Sequence, residues 1–333
     1  MRRTTLSALL VPLTLFAMLT GCGREKEPTV AFVTNGVASF WVLAQAGANQ
    51  AAEDLDINVD VRMPDGLVDQ NRIIEDLLVN DVVGIAISPI DGVNQNAKLN
   101  EAAARTHLIT HDSDAPDSDR ELYIGMDNYT AGRLCGEMVR EAMPEGGEIV
   151  IFIGRLEQEN AKRRRQGVID ELLGRDADPT RYDSPDARLE GNGFVILDTR
   201  TDDFTQAGSQ TQAEDVLALY PEIDGMVGLF AYNPPAILNA LRNAGKIGEV
   251  VVVGFDEDDA TLEGIKAGEV YGTVVQNPYM YGYESVRVLT ALSKGDTSVI
   301  PDSGFLDIPA RKILPDNVEE FHADLKAKLG RGG

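Results

Sequence analysis

The chain has 333 residues, long for one domain and comfortable for two. Apolar residues make up 43% of it, enough for a sizeable core, which excludes wholesale disorder. A formal net charge of −24 keeps the surface soluble and repels phosphate backbones, which disfavours nucleic acid as a partner.

The chain opens with Arg2 and Arg3, followed by an almost uncharged apolar run over 6–19 that is short for a bilayer span. The run ends in Leu19-Thr20-Gly21-Cys22. This resembles the bacterial lipobox, in which cleavage before the cysteine follows attachment of a diacylglycerol to its sulfur. The expectation is a signal peptide over 1–21, a lipid anchor on Cys22 and a polar tether over 22–28, placing the protein outside the cytoplasm and at the membrane only through its lipid. The second of the two cysteines, Cys135, is then a free, buried thiol.

From Thr29 onward, short apolar runs alternate with longer amphipathic stretches. The pattern predicts strands at 30–33, 59–63, 82–88, 108–111 and 122–125, with helices at 40–55, 70–79 and 93–104 between them. It then restarts. Helices are expected at 131–142, 161–173, 205–218, 234–244, 260–267 and 279–292, and strands at 148–153, 194–199, 225–230, 250–255 and 271–275. Near-continuous β-branched strands separated by helices imply parallel sheets covered on both faces. The fold class is therefore α/β, with two doubly wound Rossmann-like domains. Residues 174–193 are acidic and contain Pro179 and Pro185, and are expected to form a surface insertion. A polar helix is expected over 317–329.

In open α/β sheets ligands sit beyond the carboxyl ends of the strands. There the sequence offers Asn35, Phe40 and Trp41 after the first strand, and Asp112 with Ser113 after the strand ending at His111. Further on come the Asn160–Arg164 segment, Phe204, Tyr232-Asn233, Asp256 and Gln276-Asn277. Carboxylates and amide oxygens accept from hydroxyls, while guanidinium and amide nitrogens donate to them. Aromatic faces cover the C–H faces of a sugar ring. The inventory suits a small polyhydroxyl ligand such as a pentose, hexose or polyol.

At these residues the chain resembles the periplasmic sugar-binding proteins of ABC transporters, of the ribose-binding type, from about Thr29 to Asp307. The matching segments are VAFVTNGVASFW, THDSDAP, IGMDNYTAGR, NAKRRRQG, GLFAYNPPAIL, VVVGFDEDD and GTVVQNPYMYGYESV. The resemblance implies ligand contacts from Asp112, Arg164, Asn233, Asp256 and Gln276, with aromatics at Phe40 and Trp41. It also implies delivery of the sugar to a membrane permease, and no catalytic activity or cofactor. The sequence departs from that pattern before the aromatic pair, where Ala38-Ser39 stands, and after Asp112, where Ser113 replaces the arginine of the ribose-binding branch. Both bear on which sugar fits.

The expected architecture joins the domains by three crossovers, near Asp127-Asn128, Gln276-Asn277 and Pro309-Ala310. The first domain takes 29–127 with 277–309, and the second takes 128–276 with 310–333. The protein is expected to act as a monomer. Within 162–165 only Arg164 is expected to point inward, the rest forming a solvated helix face. Other readings are a sensory protein presenting ligand to a receptor kinase or chemoreceptor, a sugar-responsive repressor, and a glycosidase using Asp112 and Asp256. The repressor needs an N-terminal helix-turn-helix where the lipobox stands. His107, His111, Asp112 and Asp114 lie on or beside a strand, not one helix face, so metal is not expected.

Overall fold

A computed structural model describes residues 28–156 and 158–329. The expected signal peptide and the expected lipid anchor at Cys22 lie outside the described residues. The chain begins β1 (Thr29–Val33), α1 (Ser39–Leu55), β2 (Asn58–Arg62), α2 (Leu67–Val79), β3 (Gly84–Ile87), α3 (Asn96–Ala103), β4 (His107–His111) and β5 (Leu122–Gly125). It continues α4 (Asn128–Ala142), β6 (Gly147–Ile153), α5 (Glu159–Leu172), β7 (Leu189–Gly191), β8 (Phe194–Thr201), α6 (Gln206–Leu219) and β9 (Gly225–Gly228). Next come α7 (Asn233–Ala244), β10 (Val251–Phe255), α8 (Asp259–Ala267), β11 (Gly272–Val275) and α9 (Pro278–Ser293). The last described elements are β12 (Phe305–Asp307), β13 (Arg311–Ile313) and α10 (Val318–Lys328).

These strands form two sheets. The first has the order β12-β5-β4-β3-β1-β2, and every pair is parallel. The second has the order β13-β11-β10-β9-β6-β8-β7, parallel except at its two edges, where β13 and β7 run antiparallel. The short edge strands β7, β12 and β13 were not anticipated. Three residues are too few to set an alternation. Their pairing partners are distant in sequence in the last two cases.

Alternation explains why each sheet is covered on both faces. In β1, Val30 and Phe32 enter one apolar cluster while Ala31 and Val33 enter another. In β6, Val150 and Phe152 face one cluster and Ile149, Ile151 and Ile153 the other. A period of two with apolar residues at every position buries both sides.

The chain passes between the sheets three times, after β5, after β11 and after β12. In each lobe a glycine pair brings two helices together. A Cβ on Gly47 of α1 would collide with the Tyr279 carbonyl oxygen of α9, and one on Gly282 with that of Ala44. In the second lobe Gly132 of α4 abuts the Arg164 backbone of α5, and Gly167 abuts that of Tyr129. Such approach is open only to residues without a side chain.

The insertion at 174–193 is tied down by buried charge. Arg165 is fully buried, donating from Nε to Thr199 Oγ1 at 2.8 Å and through Nη1 and Nη2 to the carbonyls of Asp183 and Ser184. The expectation of a solvated face over 162–165 therefore fails at Arg165, whose five donors allow burial once carbonyls surround it. Cys135 is a free, buried thiol, pushed up to about 12 by burial.

Candidate functional site

A cavity of about 500 Å³ opens where the carboxyl ends of both sheets face each other, and residues of both lobes line it. The strand-end positions are set by local backbone. Asp112 follows β4 with φ 58°, and Asp256 follows β10 with φ 64°. The N–H of Asp112 still reaches the Ile124 carbonyl at 3.0 Å, and that of Asp256 reaches Val274 at 2.7 Å. Each aspartate thus caps a strand in a left-handed conformation, which Asp tolerates better than most residues. The two lobes place equivalent carboxylates at equivalent points.

On the first-lobe side, Asn35 is held by two contacts. Trp41 Nε1 donates to its Oδ1 at 3.0 Å, and its Nδ2 donates to Ser88 Oγ at 3.2 Å. Ser88 Oγ in turn donates to Asp112 Oδ2 at 3.1 Å. The chain Trp41–Asn35–Ser88–Asp112 fixes an amide and a carboxylate on the cavity wall. Burial pushes the Asp112 carboxyl up to about 6, opposed by Arg164 and the Ser88 hydrogen bond. Trp41 packs its edge against His111 and against Phe40, and is nearly all buried. It serves the core as well as the cavity.

On the second-lobe side, Arg164 is 2% exposed. Its Nε donates to Asn128 Oδ1 at 2.9 Å and its Nη1 to the Leu229 carbonyl at 3.2 Å. Its guanidinium lies 4.3 Å from the Phe255 ring centroid and 5.4 Å from that of Phe230. Asp256 accepts from Gln276 Nε2 at 2.7 Å, and Gln276 Oε1 accepts from Tyr281 at 3.2 Å. Burial raises the Asp256 carboxyl, with Arg164 opposing. Beside it Glu257 also lines the cavity. Its Oε2 is buried without a partner, and burial followed by the Asp256 charge pushes this carboxyl up to about 8.

Of the residues singled out in the sequence, Asn35, Phe40, Trp41, Asp112, Arg164, Phe204, Asp256 and Gln276 line this one cavity. Phe204 does so at φ 61°, with the Arg155 guanidinium 5.5 Å over its ring. Asn233 does not. It is fully buried, its Oδ1 accepts from Phe230 N at 2.9 Å, and its Nδ2 donates to Asp202 and Ser209. Its neighbour Tyr232 lines the cavity instead, with its hydroxyl donating to Asp202 at 2.7 Å. The signal was present in Asn233-Pro234-Pro235. Pro234 and Pro235 offer no N–H to the Asn233 side chain, which instead accepts from the preceding Phe230 N–H. Phe230, Glu257, Leu325 and Leu329 also line the cavity and were not singled out. Leu325 comes from α10 and Leu329 caps that helix, both more than 65 residues after Asp259 of α8, a placement that no local pattern encodes.

His107 pairs with Glu121, and His111 Nε2 lies 3.1 Å from the Val33 carbonyl, to which it donates. Burial lowers His111 to about 3, so the ring is neutral. Asp114 is engaged by Thr110 and Arg120. Among the described residues no group of three or more His, Cys, Asp or Glu is arranged to hold a metal ion, and no helix is long and apolar enough to cross a membrane.

A periplasmic binding protein domain model matches residues 30–297. The ribose import binding protein RbsB of Salmonella typhimurium is 25% identical over 307 residues, covering 89% of this chain and 95% of that protein. The D-allose-binding periplasmic protein of Escherichia coli is 24% identical over 274 residues, covering 79% and 83%. A solved ABC transporter solute binding protein from Burkholderia graminis, in complex with D-arabinose, superposes with a TM-score of 0.77 at 27% identity, covering 88% of this chain and 96% of that one. With most of its length matched by one family model, this chain belongs to the periplasmic binding protein domain family.

Proposed function

We propose that this protein is an extracytoplasmic solute-binding lipoprotein that captures a small sugar between its lobes and delivers it to an ABC permease. The observation that carries this reading is the set of Asp112, Arg164, Asp256 and Gln276 around one cavity, with Phe40, Phe204 and Tyr232 beside them. Each polar group is pinned by neighbours, so little side-chain entropy is lost when hydroxyls arrive. Fixed acceptors and donors opposite aromatic faces suit an alternating hydroxyl and C–H surface. The relatives named for ribose and allose, and the arabinose complex, support a monosaccharide. Ligand bridging both lobes stabilises the closed form because only that form lets both contact it.

Binding without turnover is the activity assigned. The Leu19–Cys22 segment supports a lipid anchor, and a monomer acting with a membrane partner is part of the same proposal. A thermal-shift screen against pentoses, hexoses, polyols and nucleosides tests the reading. Ligand at a hundred times its dissociation constant stabilises by about 2.7 kcal/mol. A screen in which no sugar shifts the transition, with nucleosides or none active, overturns it.

A further inference from the structure

The C-terminal helix α10 lies beyond residues 30–297, over which the family model matches, yet it reaches the cavity. It is seated on the second lobe. His322, 1% exposed, has Nε2 2.9 Å from Asp259 Oδ1 and Nδ1 2.9 Å from Lys266 Nζ, both on α8. The Arg311 guanidinium lies 4.9 Å over the Phe321 ring. Val318 and Leu325 enter the core of that lobe.

Its far end touches the other lobe. Leu43 of α1 belongs to the same apolar cluster as Leu325, with Leu329 packed against it. The Lys328 ammonium lies 5.0 Å over the ring of Tyr279, at the start of α9. Leu43, Leu325 and Leu329 all line the cavity. Three aliphatic side chains from two lobes therefore line the same cavity as the polar groups Asp112, Arg164 and Asp256.

We infer that α10 is a wall of the ligand site, and that Leu325 and Leu329, with Leu43, set which part of the ligand is left without a hydroxyl partner and how large a substituent fits there. The inference rests on the sugar-binding reading above. Leucines offer neither donor nor acceptor, so a hydroxyl turned toward them would lose its hydrogen bonds to water without replacement. The ligand thus presents a C–H or deoxy face, or a short apolar substituent, to this wall. The wall spans both lobes, because Leu43 of the first lobe and Leu325 of the second share one buried cluster.

The test separates a wall from a support. D-ribose, D-allose and D-arabinose, each with its set of monodeoxy and mono-O-methyl derivatives, are titrated by calorimetry against the full chain and against Leu329→Ala, Leu325→Ala and Leu329→Met. A single methyl group in an apolar pocket discriminates by about 10- to 200-fold. The alanine variants are expected to shift the affinity ratio between one O-methyl derivative and its parent sugar by roughly tenfold or more toward the derivative. Leu329→Met, which conserves volume, keeps the parent ratio. Leu329 is the milder site should Leu325→Ala unfold, since Leu329 is only partly buried. A helix that merely supports the lobe would lower all affinities by one factor. Sugar binding with every ratio unchanged overturns the wall and leaves the sugar-binding reading standing. Failure of every parent sugar to bind the unaltered protein overturns both.

Discussion

Arg164 and Asp256 face each other with Nη1 3.7 Å from Oδ2, close enough to balance charge and too far to hydrogen-bond. Each is held from behind, the guanidinium by Asn128 and the Leu229 carbonyl, the carboxylate by Gln276. Two charged groups so fixed, with hydrogen-bonding capacity unspent on each other, are ready for adjacent hydroxyls.

Replacing Arg164 or Asp256 by Ala is expected to weaken sugar binding by roughly tenfold to a hundredfold or more, since hydrogen bonds to charged groups are worth about 1.5–3 kcal/mol. Arg163→Ala is the matched control. Arg163 is partly exposed and pairs with Glu159 on its own helix, so its loss leaves affinity near the parent value. Arg165→Ala is not a control, because it leaves Thr199 and two carbonyls of the insertion without their donor. Calorimetric titration decides; parent-like affinity in Arg164→Ala and Asp256→Ala means that the second-lobe site is misassigned.

Gly132→Ala places a methyl against the Arg164 backbone. The α4–α5 pair must separate, and overpacking of this kind costs about 1–3 kcal/mol. Both the unfolding transition and ligand affinity are expected to fall, because α5 carries Arg164. Gly47→Ala strains the α1–α9 pair instead and moves the segment that carries Phe40 and Trp41. Denaturant melts and titrations of both variants check this, and unchanged stability in Gly132→Ala would remove close helix packing as the cause of the Arg164 position.

Glu257 gives a pH signature. Its folded-state carboxyl titrates at about 8, against the ordinary glutamate value when unfolded. Between those values the folded chain keeps a proton that the unfolded chain has released, so stability falls as pH rises through the window. Glu257→Gln cannot ionise. Its melting temperature should sit close to the parent's near about pH 5 and exceed it increasingly toward about pH 9. A pH-independent difference between the two would show that Glu257 ionises freely in the fold.

Closure is read by small-angle scattering. A sugar that binds between the lobes should reduce the radius of gyration, and a ligand shown to bind without any change would sink the two-lobe clamp.

The proposed membrane attachment rests on Cys22. Cys22→Ala should abolish metabolic lipid labelling and recovery in the membrane fraction, with ligand binding unaffected. Full membrane recovery of that variant would contradict the anchor.

The apolar runs, their alternation and the helices between them determined the α/β class, because both faces of a parallel strand must be apolar and the chain must cross over between neighbours. Strand-end logic also brought out Asp112, Asp256 and Gln276, since each stands immediately after a buried run. What lies beyond local periodicity was decided by tertiary contact. Arg165 looks like a surface residue until the insertion supplies carbonyls to it, and Asn233 looks like a ligand contact until Asp202 and Ser209 take its amide. Leu325 belongs to a polar helix far along the chain, and Leu329 caps it. They meet the cavity only because His322 and the α8 surface seat that helix beside it. Side-chain direction and long-range docking depend on what packs around a residue, and neighbours in space are not written in neighbours in sequence.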